Sequence, residues 1–181
     1  MSEPVSLLFL ALLWSGWCAL HSLLITRRAG EFLARRLGQR LAWFRIVYNL
    51  FSLITLVPVV LVHLRLQGQV LFAWSGPWQA IRWCGLAAAG GLLLGGARAY
   101  DMGYFLGWKQ IRDYRNGAAA AGLNRAGILQ YVRHPWYAAG ILAVWFFGPV
   151  TAASLVAKVV LSGYLLLGTL LEERKLVAIF G

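Results

Sequence analysis

Apolar positions along this chain fall into long runs that basic segments separate. The runs cover residues 4–25, 46–64, 80–97, 136–147 and 150–171. A helix that crosses the hydrocarbon core of a bilayer needs about 20 mainly apolar residues. The pattern therefore predicts an all-α fold, a polytopic transmembrane helical bundle with about five membrane helices. We expect residues 1–181 to form a single integral-membrane domain.

The last apolar block is interrupted in its middle. Residues 136–147 are too few to cross a bilayer alone, and Gly148-Pro149 breaks the block before residues 150–171, which are enough to span it. We predict a broken helical hairpin whose first arm is short or tilted. The preceding run, residues 80–97, is rich in glycine, which is typical of closely packed membrane helices.

Two long segments between the runs are polar. In residues 27–45, arginines alternate with apolar residues at helical spacing, which favours an amphipathic helix on the membrane surface, with a solvated loop as the alternative. Residues 98–133 form a second polar segment, predicted to be cytoplasmic.

Composition agrees with a membrane protein. Hydrophobic residues make up 60% of the chain and charged residues 13%, which a soluble domain of this size could not accommodate. The first apolar run lacks a preceding basic segment, so we expect a retained membrane span and not a cleaved signal peptide.

Positive charge is concentrated on one side of the predicted topology. The net charge is +11, and 14 of the 17 Lys and Arg residues lie in residues 27–45, 98–133 and 174–175. The positive-inside rule then places the N-terminus outside and the C-terminus in the cytoplasm, and we expect the inner (plasma) membrane. The expected partner of these charges is the lipid bilayer, because no nucleic-acid-binding motif accompanies them. The oligomeric state stays open.

Two groups of polar residues lie at the ends of the predicted hairpin. The first is the segment Tyr131–Gly140, in which Pro135 suits the first turn of a helix and leaves Arg133 and His134 at the helix start. The second is Glu172-Glu173, whose adjacent carboxylates need a cationic partner at a helix C-terminus near lipid. Either Arg174 and Lys175 compensate them, or one carboxylate binds a cationic or polyhydroxylated ligand.

The ordered motif Arg133-His134-Pro135-x-Tyr137-x-x-Gly140, followed by Glu172-Glu173 and Phe180-Gly181, resembles the isoprenylcysteine carboxyl methyltransferase and phospholipid methyltransferase superfamily, in its bacterial integral-membrane branch. The resemblance covers residues 98–181. It implies a methyltransferase that uses S-adenosylmethionine and acts on a small lipophilic, thiol or carboxylate acceptor at the cytoplasmic membrane face. It assigns catalysis to Arg133, His134 and Tyr137. It assigns cofactor binding to the following residues: Tyr131, His134, Tyr137, Gly140, Glu172 and Glu173.

One feature departs from that superfamily. There the Phe-Gly pair is followed by a tail that contains tyrosines, whereas this sequence stops at Gly181. We expect the chain either to be truncated or to lack part of the cofactor cover.

Other polar residues fall near the same predicted membrane face. We expect His21, Arg45, Asn49 and Arg98 to line a substrate pocket, beside Tyr100 and Asp101; the alternative is that they form hydrogen bonds between helices. Lys158, inside the last run, is expected to face the bundle or to snorkel. We expect Cys18 and Cys84 to be small buried hydrophobic residues, and we expect no metal site.

Two alternative functions stay open. The chain could be a non-catalytic membrane protein on the same scaffold, as in the resembling family that is linked to denitrification regulation. It could also be a membrane sterol reductase, although the sequence shows no motif for the nicotinamide that such an enzyme requires.

Overall fold

The computed structural model describes residues 3–116 and 126–180, and within these ranges the protein is almost entirely helical. In chain order the α-helices are α1 (Glu3–Leu24), α2 (Arg27–Leu37), α3 (Phe44–Arg65), α4 (Trp78–Ala99), α5 (Met102–Leu106), α6 (Trp108–Asn116), α7 (Pro135–Phe146) and α8 (Ala152–Phe180). Two 3-10 helices cover Gly38–Trp43 and Gly127–Gln130, and two short strands are β1 (Val70–Phe72) and β2 (Val150–Thr151). The all-α class is confirmed.

Four helices in the described ranges, α1, α3, α4 and α8, are long and apolar enough to cross a membrane. Each has at least 22 residues, which at 1.5 Å per residue reaches about 33 Å. Helix α7 has only 12 residues, about 18 Å. The expected five membrane helices are thus four of spanning length and one short arm.

Helix boundaries differ from the predicted spans chiefly at the C-terminus. Helix α8 continues to Phe180, nine residues past the predicted end at Leu171. Charged and apolar residues of high helix propensity follow Leu171, so the helix continues although the apolar run ends. The polar segment 98–133 is also more ordered than a plain loop, since it contains α5, α6 and the second 3-10 helix.

The helices alternate in direction, and this places the connections at two opposite ends of the bundle. At one end β1 pairs antiparallel with β2, which brings the α3–α4 loop beside the α7–α8 turn. At the other end, hereafter the basic end, α1, α4 and α8 finish, α3 and α7 begin, and α2, α5 and α6 are attached. The Arg45 Nε donates to the Phe105 carbonyl oxygen there at 3.1 Å and ties α3 to α5.

The buried core is small for the length of the chain. It centres on Leu10, Trp14, Val59, Ala153 and Ala157, where α1, α3 and α8 meet. Many large apolar side chains point outward; Leu12, for example, is 64% exposed. An outer surface of this kind is stable against lipid tails, because the apolar groups need no protein cover there.

Glycines of α4 let α7 approach closely. A Cβ atom at Gly96 would lie 2.3 Å from the Trp136 Nε1, and one at Gly85 would lie 2.3 Å from the Phe146 ring. The expected tight packing holds at these positions but not at Gly90 and Gly91, where a Cβ would meet nothing within 4 Å.

Cys84 is exposed on the same helix, so the expectation that it is buried was wrong; Cys18 is buried.

One stripe of α8 faces α7 along the whole short helix. The Trp145 Nε1 donates to the Ser162 Oγ at 2.9 Å, and farther along, Leu165 packs against Gly140. A Cβ atom at Gly168 would lie 3.7 Å from the Tyr137 hydroxyl oxygen. Spacings of three or four residues on α8 match those of one helix face, so the hairpin has a defined register.

Side chains satisfy the carbonyl groups at the C-terminal end of α7. Lys158 is 3% exposed, and its Nζ donates to the carbonyl oxygens of Val144, Trp145 and Phe147, the last two at 3.2 Å. The Arg82 Nε donates to the Phe146 carbonyl oxygen at 3.3 Å. The Trp74 Nε1 donates to the Gly148 carbonyl oxygen at 2.9 Å. Lys158 therefore faces the bundle and serves as a helix cap.

We predict that Lys158→Met destabilises the protein by about 1–3 kcal/mol, because the carbonyl groups at the end of α7 lose a buried donor. Thermal unfolding in detergent should show a lower midpoint for Lys158→Met and a smaller loss for Lys158→Arg, which keeps donors at the site. If the methionine variant unfolds at the native temperature, the capping role is wrong.

Candidate functional site

The two groups of polar residues predicted at the hairpin ends meet in the structure. The His134 Nε2 lies 2.6 Å from the Glu173 Oε1, and the Arg133 Nη1 lies 2.8 Å from the Glu173 Oε2. Glu172, one residue earlier, places its Oε2 3.7 Å from the His134 Nδ1. The start of α7 and the C-terminal part of α8 thus form one charged network at the basic end.

Local sequence explains why His134 stands at this position. A residue before proline avoids the helical region, so α7 begins at Pro135 and His134 becomes its N-cap. Pro135 is fully buried, which anchors the helix start. The His134 side chain is 11% exposed, whereas that of Arg133 is 77% exposed.

The two glutamates have different surroundings. The partners of Glu173 come from across the hairpin, where Arg133 and His134 bind both of its oxygens. Arg133 therefore supplies Glu173 with a cation that the adjacent carboxylates need. Of the two cations expected in this role, Arg174 and Lys175, the side chain of Lys175 lies outside the described residues. Glu172 is 45% exposed and lies beside the hydroxyl of Tyr137.

A cavity of about 720 Å³ opens next to Glu172. Side chains from α1, α3, α5, α7 and α8 and from the end of α4 line it: His21, Ile25, Arg45, Tyr48, Asn49, Tyr100, Asp101, Tyr104, Phe105, His134, Trp136, Tyr137, Tyr164, Leu165 and Glu172. Seven of these residues are Tyr, Phe or Trp. The cavity is thus aromatic, with carboxylates, an arginine and two histidines on its walls.

Six of the residues singled out as site candidates line this cavity. Three come from the hairpin and three from α1 and α3: His134, Tyr137, Glu172, His21, Arg45 and Asn49. Tyr100 and Asp101 lie beside them, as expected.

The remaining candidates lie elsewhere. Tyr131 is 84% exposed, and Arg98 is exposed at the end of α4. Arg133 and Glu173 sit behind the cavity wall and act on it through His134. Gly140 was expected to let a cofactor lie close, but a Cβ there would come within 3.0 Å of the Leu165 side chain, so its small size serves helix packing.

Sequence reasoning missed several aromatic residues of the cavity. Tyr104, Phe105, Trp136 and Tyr164 were not proposed as site residues, although all of them line it. A sequence signal was available for Tyr164, because Tyr164, Gly168 and Glu172 are spaced by four residues and share one face of α8. The short helix α5 carried no comparable signal.

Helix α5 forms one cavity wall and is fixed by capping. Asp101 is its N-cap, and the Asp101 Oδ1 accepts from the backbone N–H of Gly103 at 2.9 Å and of Tyr104 at 3.3 Å. Lys109 pairs with the same carboxylate. The Tyr104 hydroxyl donates to Asp113 on α6. The Asn49 Nδ2 donates to the Phe105 carbonyl oxygen at 3.2 Å, which holds α5 against α3.

Asp101, at the start of α5, and Asp113, on α6, are both stabilised in the ionised form. The hydrogen bond from Lys109 lowers the pKa of Asp101, and the hydrogen bond from Tyr104 lowers the pKa of Asp113. Hydrogen bonding to Asp113 in turn raises the pKa of the Tyr104 phenol. Burial, followed by the nearby Glu172 carboxylate, raises the pKa of Tyr100.

Comparison with protein-family models, with curated proteins and with solved structures finds no match for this chain.

We predict that acid loosens the α5 wall. The folded state holds the pKa of Asp101 and Asp113 below their unfolded values, so their contribution to stability is complete above the unfolded pKa and is lost as pH falls through the folded pKa. Hydrogen exchange of peptides from residues 101–113 should rise as pH is lowered from 6 to about 3, after correction for intrinsic exchange rates.

Two substitutions separate the cap from the ion pair at Asp101. Asp101→Asn keeps a good N-cap but loses the charge, whereas Asp101→Ala loses both. Exchange at pH 6 should therefore increase more for Asp101→Ala than for Asp101→Asn. Equal exchange in both variants and the native protein would refute the role of Asp101 in holding this wall.

Proposed function

We propose that this protein is an integral-membrane methyltransferase that transfers a methyl group from S-adenosylmethionine to a small lipophilic acceptor. The observation that carries the proposal is that the two adjacent glutamates have different partners. Glu173 is paired with Arg133 and hydrogen-bonded to His134, whereas Glu172 presents its carboxylate at the wall of an aromatic cavity. A ligand with positive charge and hydroxyl groups suits such a wall.

The polar groups of the cavity fit this methyl donor. Because the Glu173 carboxylate is an acceptor, the His134 Nε2 must carry hydrogen, and in the neutral ring Nδ1 is then an acceptor. The Nδ1 and the Glu172 carboxylate together can accept from an ammonium group or from ribose hydroxyls. A cavity of about 720 Å³ is within the usual size range of cofactor sites.

The aromatic walls fit the rest of the molecule. Ring faces attract cations, so Tyr137, Trp136 and their neighbours can stabilise a sulfonium. The same rings offer stacking surfaces for an adenine base. The motif that resembles membrane methyltransferases supports this choice of ligand, since three of its residues, His134, Tyr137 and Glu172, line the cavity.

The methyl donor supplies an electrophilic methyl group bound to a positively charged sulfur. The contribution of the protein is orientation and desolvation, which can provide a large part of the rate of a bimolecular transfer. Glu173 and Arg133 hold His134, while Asp101 and Asn49 hold the α5 wall. The cavity thus keeps its shape without the ligand.

We predict that the protein binds S-adenosylhomocysteine, the product form of the donor, and that Glu172→Gln weakens binding about 10–100-fold, the value of one charge-assisted hydrogen bond. Isothermal titration calorimetry of the purified protein in detergent measures both affinities. Glu3→Gln, the same change at the opposite end of the bundle, is the control and should bind like the native protein. An absence of binding by the native protein would refute the proposal.

The localisation is also a proposal. The basic end carries the arginines of α2, Lys109 and Arg112 of α6, and Arg133. Arg65, Arg82 and Lys158 lie towards the opposite end. The positive-inside rule then orients the basic end and its cavity towards the cytoplasm of an inner membrane.

We predict that a green fluorescent protein fused after Gly181 fluoresces in bacterial cells and that alkaline phosphatase fused at the same place is inactive, because both report a cytoplasmic C-terminus. The opposite pair of results would reverse the orientation of the cavity.

A further inference from the structure

One wall of the cavity is formed by residues that the charged hairpin network does not include. This wall, hereafter the histidine wall, consists of His21 and Ile25 at the end of α1, Tyr48 on α3, and Tyr164 on α8. The histidine wall has no role in binding of the methyl donor by Glu172 and His134. Its composition, a histidine among phenols and apolar side chains, calls for a separate explanation.

His21 is held on three sides. Its Nδ1 lies 3.0 Å from the Ser52 Oγ, and Trp17 stacks on its ring at 5.2 Å. The Tyr48 hydroxyl oxygen lies 2.7 Å from its Nε2 and 2.9 Å from its Nδ1. In the tautomer with the proton on Nδ1, this nitrogen donates to Ser52, and Nε2 is left with a lone pair. A hydrogen-bond acceptor is therefore presented at a fixed position on the wall.

The Tyr48 hydroxyl can move away from the His21 Nε2 and still donate a hydrogen bond to another acceptor. Its oxygen also lies 3.3 Å from the His21 carbonyl oxygen, which provides a second acceptor. Tyr48 is 4% exposed, so an unpaired hydroxyl there would be costly, and the second acceptor removes this cost. An incoming O–H or S–H group can then take the place of the phenol at Nε2.

Tyr164 connects the histidine wall with the hairpin. Its ring centroid lies 6.3 Å from that of His21, and its hydroxyl accepts from the Ser22 Oγ at 3.2 Å. Tyr164, Tyr137 and Glu172 all line the same cavity. His21 and Glu172 therefore face one shared space.

Resting on the proposed function, we infer that His21 is the proton acceptor of the reaction and that the methyl acceptor is a lipophilic molecule with an uncharged O–H or S–H nucleophile. The acceptor proton passes to the His21 Nε2 while the acceptor oxygen or sulfur forms its bond to the methyl carbon. The bond between that carbon and the sulfonium sulfur breaks, and its electron pair stays on sulfur. The products are a methyl ether or thioether, S-adenosylhomocysteine and an imidazolium, which returns its proton to solvent.

The wall distinguishes this acceptor class from a carboxylic acid. A carboxylate is already ionised at neutral pH, so a positioned base would add nothing to its reactivity. Apolar contacts favour a lipophilic molecule, since Ile25 and Leu165 both line the cavity.

The test uses three probes with matched chains: 4-dodecylphenol, its methyl ether 4-dodecylanisole, and dodecanoic acid. Purified protein with S-adenosylmethionine should methylate the phenol, measured by mass spectrometry. His21→Gln should lower kcat/KM for the phenol about 100-fold, the range for loss of a general base. Ser52→Ala should cause a smaller loss, because the ring stays but its orientation is freed.

Two further measurements separate chemistry from folding. Calorimetric binding of S-adenosylhomocysteine should be the same in His21→Gln as in the native protein. Without the methyl donor, tritiated 4-dodecylphenol should bind several-fold more weakly to His21→Gln, and 4-dodecylanisole should compete poorly with it. His63→Gln is the control, because His63 packs against Trp14 and does not line the cavity; it should methylate the phenol normally.

Three results would overturn the inference. They are methylation of dodecanoic acid but not of the phenol, native phenol turnover by His21→Gln, or equal binding of phenol and methyl ether. If S-adenosylhomocysteine binds in any of these cases, the methyltransferase proposal survives and only the acceptor assignment fails. If it does not bind the native protein, the proposed function fails first.

Discussion

Backbone polar groups inside an apolar membrane must find partners within the protein, and this constraint is most severe where α7 ends. The carbonyl groups in the last turn of this 12-residue helix have no partner inside the helix, so in a membrane they need donors from elsewhere in the protein. Lys158, Arg82 and Trp74 supply the missing donors from three different segments. A cationic cap also interacts favourably with the negative end of the helix dipole.

The opposite end of α7 is held by the same partner helix. Glu173 binds His134 and Arg133 at the helix start, and Lys158 binds the helix end. These two α8 residues are 15 positions apart, about 22 Å along a helix, which matches the length of α7 with its flanking residues. The hairpin is therefore clamped at both ends, and sliding of one helix along the other would break both clamps. This fixed register places His134, Tyr137 and Glu172 on one cavity wall.

Hydropathy and spacing predicted the helical membrane architecture, the short arm of the hairpin and the meeting of His134 with the glutamates. The membrane helices could be predicted because a helix that faces lipid is apolar along its whole length. The meeting of His134 with the glutamates could be predicted because the first and last residues of a helical hairpin lie at the same end. What they missed depends on which way a residue points. Gly140 packs against Leu165 and Cys84 faces outward, and neither fact follows from the apolar run alone. The α5 wall depends on contacts between segments far apart in sequence, such as Asn49 with Phe105. No local pattern predicts such contacts.

The proposed function requires that the cavity beside Glu172 and His134 binds S-adenosylmethionine. The most direct test is an experimental structure of the protein in detergent or nanodiscs with S-adenosylhomocysteine added. We expect density for the nucleoside and amino-acid groups in the aromatic cavity, within hydrogen-bond distance of the Glu172 carboxylate. An empty cavity at saturating ligand, or density at a different place, would contradict it.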